Sequence, residues 1–170
     1  MRIEAFDSAR HDRKEFGSGN TKLDEYLQRH LSQGVKKGIV QAYIAVDDNG
    51  KVLGYYTLSA AHVLHDDFPE GIAKKLPRYP VPAALLGRMA TDLKARQSGL
   101  HIGSKLLVHA MKQTLKAGDS LGVACIVVDA KPEAVGFYQR FGFLPLKTED
   151  GLRLYLPVDT IKKMLTPAPH

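Results

Sequence analysis

Residues 85–117 read LLGRMATDLKARQSGLHIGSKLLVHAMKQTLKA, and this stretch decides the fold. The apolar run Ala83–Ala90 that it extends has the character of a strand. A short polar loop then leads into Gly99–Leu100–His101–Ile102–Gly103–Ser104, a turn crowded with small residues. Beyond it, over Ser104–Ala117, Leu106, Leu107, Ala110, Met111 and Leu115 recur at helical spacing while Lys105, Lys112 and Lys116 face out. Gly118 supplies a helix stop. Strand, glycine turn and long helix in that order make an anion cradle. The first helical N–H groups have no intrahelical acceptor and carry a partial positive charge, and glycines let backbone approach a phosphate. Lys94, Arg96 and Lys105 lie close in sequence and add charge. Ordinary turn chemistry is the competing reading. Neither the full dinucleotide fingerprint nor a Gly-Lys-Ser/Thr triplet follows the turn, which gives little support to a nicotinamide enzyme or a nucleoside triphosphatase.

Upstream, Gly19–Gln33 reads as a helix with Asn20 as N-cap and Leu23, Tyr26, Leu27 and Leu31 on one face; Lys36–Gly38 breaks it. Ala42–Asp47 and Val52–Ala60 are two strands joined through Asp47–Gly50, an Asn-Gly hairpin signal. His62–Pro82 contains four prolines and reads as a long surface connection with one helical turn at Ile72–Leu76. Downstream, Val123–Asp129 is an apolar strand covered on both faces. Pro132–Phe141 is a second amphipathic helix ended by Gly142, Leu152–Leu156 a last strand, and Val158–Leu165 a closing helix. The order is an α/β (α+β) domain with a mixed sheet, spanning 1–165, with 166–170 as a frayed tail.

A chain of 170 residues with 44% hydrophobic and 25% charged residues has ordinary globular composition and can bury a core without staples. The single Cys125 excludes an internal disulfide framework and reads as a small buried hydrophobe. No apolar run approaches a bilayer span, and Met1–Arg13 is too polar for a signal peptide, so the expected compartment is reducing and cytoplasmic. A net charge of +6 points to an anionic partner or to solubility alone. Seven histidines include no zinc-like spacing and have no cysteine partners, so no metal site is expected.

The segment Phe137–Tyr138–Gln139–Arg140–Phe141–Gly142–Phe143, following the glycine turn and its helix, resembles the GNAT superfamily of acetyltransferases over nearly the whole chain. Phe16–Asn20, Val52–Ala60 and Leu86–Ala90 narrow the resemblance to the GNAT-type toxins of bacterial toxin–antitoxin pairs. That resemblance implies acetyl-CoA as cofactor, held in a splay of the central sheet, and the α-amino group of an aminoacyl-tRNA as acceptor. It also implies a ribbon-helix-helix antitoxin and a homodimer. It assigns Tyr138 as the general acid for the departing thiolate. Backbone at Met89, Ala90 and Thr91 would bind the pantetheine, and Arg96, Gln97, Ser98, Gly99, Leu100, His101, Ile102, Gly103 and Ser104 the pyrophosphate. Phe137 and Phe141 are packing residues that also touch the pantetheine arm.

This chain departs from the superfamily turn by carrying Ser98 at its first position and His101 where a middle glycine is usual; a side chain fits there if φ is negative. Arg88 interrupts an apolar strand, and a buried arginine needs a partner, so it pairs internally, faces solvent or contacts the acceptor. Lys74, Lys75 and Arg78 either neutralise RNA phosphates or are simply solvated. Two rivals stand beside the toxin: a GNAT enzyme acting on a small amine, a peptide N-terminus or a lysine, and a GNAT fold that binds a partner without catalysing.

Overall fold

The computed structural model describes residues 1–166; the tail expected at 166–170 therefore lies, apart from Thr166, outside the described residues. Its strands are β1 (Arg2–Ala5), β2 (Gln41–Val46), β3 (Val52–Val63), β4 (Val81–Thr91), β5 (Cys125–Asp129), β6 (Leu144–Pro145) and β7 (Arg153–Pro157). They hydrogen-bond in the order β1-β2-β3-β4-β5-β7-β6. The β4–β5 pair is parallel while β1–β2, β2–β3, β5–β7 and β6–β7 are antiparallel, so the sheet is mixed, as expected. The helices are α1 (Thr21–Glu25), α2 (Leu31–Lys36), α3 (Glu70–Ala73), α4 (Leu93–Arg96), α5 (Ile102–Ala117), α6 (Val135–Arg140) and α7 (Val158–Leu165). By its contacts the chain divides into two compact units.

The first unit comprises Met1–Ser59 and Gly87–Ala110. Asn20 caps α1, its side chain accepting from the Leu23 N–H at 3.1 Å. Between α1 and α2 the helix widens into a π-turn, Tyr26–His30, in which the Leu31 N–H reaches back to the Tyr26 carbonyl. Arg13 Nη1 donates to the Leu27 carbonyl within that turn at 3.1 Å. Leu27 and Leu31 are fully buried and pack with Phe16, Ile44, Val46, Val52 and Tyr55 into one core cluster. Strand β1 was not expected. Its four residues are exposed or half-buried and pair with β2 as an edge strand, so no apolar run marks them.

The second unit comprises Ala60–Leu86 and the chain from Met111 on. Strand β5 pairs Ala83–Leu86 of β4 on one side and β7 on the other, and its successive side chains from Cys125 to Val128 are all buried, so both its faces are covered and it reads as an unbroken apolar run. Val63, Phe68, Val81, Val127 and Tyr155 form its core. The expected long connection holds more order than its prolines suggest: β3 runs on to Val63, and a 3₁₀ turn at His65–Asp67 and α3 follow. The Tyr155 hydroxyl is buried and, among the described residues, has no hydrogen-bond partner.

Candidate functional site

In the first unit the turn before α5 is built by backbone conformation rather than by glycine alone. Gly99 has φ of 74° and His101 φ of 51°. The negative φ that would accommodate His101 is therefore not what the chain adopts: the residue sits in the left-handed region. Histidine is among the non-glycine residues enriched there, at a cost of about 1 kcal/mol or more. The first α5 bond runs from the Lys105 N–H to the His101 carbonyl at 3.1 Å. Ile102, Gly103 and Ser104 consequently fill the first turn of a 16-residue helix, where N–H groups lack intrahelical acceptors. Gln97, Ser98, Gly99, Leu100 and His101 are all exposed. The Leu100 N–H reaches the Ser98 hydroxyl at 3.4 Å, and the helix start beyond this solvent-facing left-handed turn suits a pyrophosphate.

What precedes the turn is fastened by Asp92, a residue absent from the sequence expectations. Asp92 is 5% exposed. One carboxylate oxygen accepts from the Lys94 and Ala95 N–H groups, capping α4, and the other from the Gly17 N–H at 3.1 Å. The Leu93 N–H donates to the Gly17 carbonyl at 2.8 Å. Arg96 Nη2 donates to the Ser18 carbonyl at 3.1 Å, so its guanidinium ties Phe16–Asn20 to the loop. An Asp before a helical turn is a legible N-cap; its second bond, to Gly17, is not legible from spacing.

The first turn of α5 rests on strand backbone through Gly54. A Cβ at that position would lie 3.0 Å from the Ala90 carbonyl oxygen, 3.0 Å from Leu106 Cδ1 and 3.1 Å from Ile102 Cγ2. Ala90 is buried, while Met89 and Thr91 are half-buried. The β4–β5 register ends at Leu86↔Val128, and β4 runs on through these three residues. Farther along α5, His109 Nδ1 lies 2.6 Å from the Tyr56 hydroxyl, and the Tyr43 ring packs on both. Burial raises the Tyr56 phenol well above its usual range, so it faces His109 as a neutral hydroxyl.

Arg88 is not buried. It is exposed, and its guanidinium lies 3.7 Å from the centre of the Tyr26 ring in a cation–π contact. The next residue inward, Tyr55, donates to the Leu23 carbonyl at 2.7 Å.

In the second unit, the Phe141–Gly142–Phe143 segment explains itself geometrically. Gly142 has φ of 94°. Its N–H bonds the Gln139 carbonyl at 2.9 Å, and the Phe143 N–H bonds the Tyr138 carbonyl at 3.3 Å. This is a Schellman helix stop, and it brings the residue after the glycine onto the residue one turn back. Here those are Phe143 and Tyr138, edge to face at 5.4 Å, with Phe137 against the Tyr138 ring at 5.2 Å. The motif thus positions Tyr138. The residue is 6% exposed, and burial pushes its phenol up to about 12. Among the described residues no protein group bonds that hydroxyl, and it is not sealed from solvent. Phe141 packs on Phe137 at 5.4 Å, both half-buried.

Lys74, Lys75 and Arg78 are exposed. Lys74 and Arg78 line one cleft of about 450 Å³ with His65, Asp66, Glu70 and Lys147. Burial holds the Cys125 thiol at about 12, which keeps it protonated and inert. Among the described residues, no helix is long and apolar enough to cross a membrane.

No protein-family model matches the chain. A tRNA-acetylating toxin of Mycobacterium tuberculosis is 37% identical over 142 residues, covering 83% of this chain and 82% of that protein. The chain is similar to AtaT complexed with acetyl-methionyl-tRNAfMet at a TM-score of 0.88 and 31% identity, covering 97% of this chain and 99% of that one. It is also similar to a Tyr-to-Phe mutant of AtaT bound to acetyl-CoA and the C-terminus of the antitoxin AtaR. There the TM-score is 0.82 and the identity 28%, over 98% of each chain.

Proposed function

Since the chain belongs to the family of the tRNA-acetylating GNAT toxins, we propose that it acetylates the α-amino group of an aminoacyl-tRNA and so blocks translation. The observation that carries this reading is the 37% identity to a tRNA-acetylating toxin across 83% of the chain. The chemistry is acetyl-CoA-dependent N-acetyl transfer, in which the bound cofactor supplies the acetyl group as an activated thioester.

The protein's own residues supply binding and a proton. First-turn N–H groups at Ile102–Ser104 and the Gly99–His101 turn hold the pyrophosphate, with Gln97 and Ser98 at its edge. Arg96, committed to Ser18, acts by bracing the turn. Backbone at Met89, Ala90 and Thr91 bonds the pantetheine amides, and Phe137 and Phe141 flank the arm. Tyr138 Oη, a phenol that burial pushes further up to about 12, carries its proton at neutral pH and delivers it to the leaving sulfur. Alignment of amine and thioester provides much of the remaining rate. Arg88, exposed over Tyr26, faces the acceptor, and Lys74, Lys75 and Arg78 neutralise RNA phosphates.

Purified protein offered charged tRNA, polyamines and peptides together with acetyl-CoA tests the acceptor. Acetylation of the charged tRNA is expected. A small amine acetylated while charged tRNA stays untouched would overturn the toxin reading, and no heat of acetyl-CoA binding at millimolar cofactor would leave only a binding protein. Induced expression should arrest growth, and Tyr138→Phe should relieve the arrest.

The AtaT relative bound to the AtaR C-terminus supports an antitoxin partner for this chain, which we take to be of the ribbon-helix-helix class. We take the active form to be a homodimer. A short neighbouring reading frame with that pattern, and sedimentation at twice the mass of the chain, are the expected observations.

A further inference from the structure

Between α3 and β4 the chain runs Lys74–Lys75–Leu76–Pro77–Arg78–Tyr79–Pro80. Tyr79 is 67% exposed. Other large apolar residues are as open, Ile39 at 67% and Leu121 at 71%, but they are aliphatic and solitary, which is ordinary for a surface. Tyr79 differs in three ways. It is aromatic. Three cations stand within five residues of it, and among the described residues none of Lys74, Lys75 and Arg78 lies within ion-pair distance of a carboxylate.

Its backbone is also stiff. Pro77 and Pro80 fix their own φ, and Pro80 confines Tyr79 to extended conformations. Both ends of the segment are anchored, Leu76 against the core of the second unit and Val81 buried at 3% within it. The ring is therefore presented to solvent by a backbone with little freedom to fold it away. Arg78 next to it lines a cleft with Lys74 and Lys147, which outnumber the acidic Asp66 and Glu70 there; Asp66 faces His65 at 3.1 Å.

An exposed aromatic face beside unpaired cations on a rigid segment is how proteins hold single-stranded nucleic acid: the ring stacks a base, and the cations take the phosphates. We infer that Tyr79 stacks an unpaired base of the 3′ end of the acceptor tRNA, with Lys74, Lys75 and Arg78 on the adjoining phosphates. This rests on the acceptor proposed above, and it names which part of the RNA this segment reads. A double-stranded stem offers no free base face, so the segment distinguishes the single-stranded end from the stem.

The test compares wild type, Tyr79→Ala and Tyr79→Phe, with charged tRNA as substrate. Two RNA hairpins, with and without an unpaired 3′ tail, serve as competitors. Tyr79→Ala is expected to raise the KM for charged tRNA by about 5- to 150-fold, the loss that follows when a ring stacking one base is removed. Acetyl-CoA affinity and melting temperature should not move. Tyr79→Phe, which keeps the ring, should stay within about twofold of wild type. Wild type should prefer the tailed hairpin, and Tyr79→Ala should lose that preference. Unchanged KM in Tyr79→Ala overturns this inference while leaving the acceptor intact. So does an equal loss in Tyr79→Phe, or weakened antitoxin binding with normal tRNA kinetics, which would make the face a protein-docking surface. A wild type that acetylates no charged tRNA overturns the acceptor and this inference together.

Discussion

Replacing Gly54 with alanine is the sharpest perturbation of the cofactor turn, because it adds one carbon where three atoms already converge. Two of those atoms, Leu106 Cδ1 at 3.0 Å and Ile102 Cγ2 at 3.1 Å, belong to the start of α5. The third, the Ala90 carbonyl oxygen at 3.0 Å, is backbone and cannot rotate away. Ordinary van der Waals contact begins near 3.4 Å, so the first turn of α5 must move off the strand by a few tenths of an ångström. Overpacking of this size costs about 1–3 kcal/mol, and in a chain of this length that lowers Tm by about 2–12 °C. The displaced elements are those assigned to the pyrophosphate and pantetheine, so acetyl-CoA affinity should fall as well. Differential scanning fluorimetry and isothermal titration read the two effects. A Gly54→Ala protein with unchanged Tm and unchanged cofactor affinity would refute the claim that this close approach seats the turn.

Other outcomes follow from the same structure. His101→Gly should raise Tm by about 2–4 °C, because glycine accepts φ of 51° without the strain of about 1 kcal/mol that histidine carries; a lower Tm would show that the imidazole holds the turn. Asp92→Ala removes a helix cap and leaves the half-buried Gly17 N–H without its partner, so a loss of about 2–4 kcal/mol in urea unfolding is expected. Tyr138→Phe should lower kcat by about 10²–10⁴ with Tm unchanged. The buried Tyr138 phenol stays protonated to about pH 12, whereas in an unfolded chain it ionises near pH 10. Its contribution to stability is thus complete below about pH 10 and is lost as pH rises through 12, and Tm measured against pH should be flat on the alkaline side until about pH 10.

The parts legible in the sequence were those whose pattern is local and long. Helix α5 carries a clean stripe, and β5 is apolar because both its faces are buried. Edge elements were not legible: β1 is polar and half-exposed, and β6 is two residues, so neither leaves a periodic signal. The same division runs through the site. Gly142 between two phenylalanines announces a helix stop, and the stop places Tyr138. The conformation at His101 could not be read, since an identical residue in a right-handed turn would look the same. The Tyr56–His109 bond and the Asp92–Gly17 bond join residues 53 and 75 positions apart, and no spacing rule reaches across that distance. Arg88 in an apolar strand left an internal partner, solvent and the acceptor all open, and the sequence does not show that its guanidinium lies exposed over the Tyr26 ring.

The π-turn at Tyr26–His30 has a consequence for how relatives of this chain should be aligned. Leu23, Leu27 and Leu31 recur every four residues, and in a regular α-helix each such step drifts about 40° around the axis. Over the two steps Leu31 would leave the line of Leu23 by about 80°. Widening one turn reverses part of that drift and returns Leu31 to the core, where it is fully buried. The helix therefore contains one residue more than its path requires. A homologue with an uninterrupted helix here should be one residue shorter inside it, and a gap assigned to the loops on either side would shift every inward-facing position by a hundred degrees.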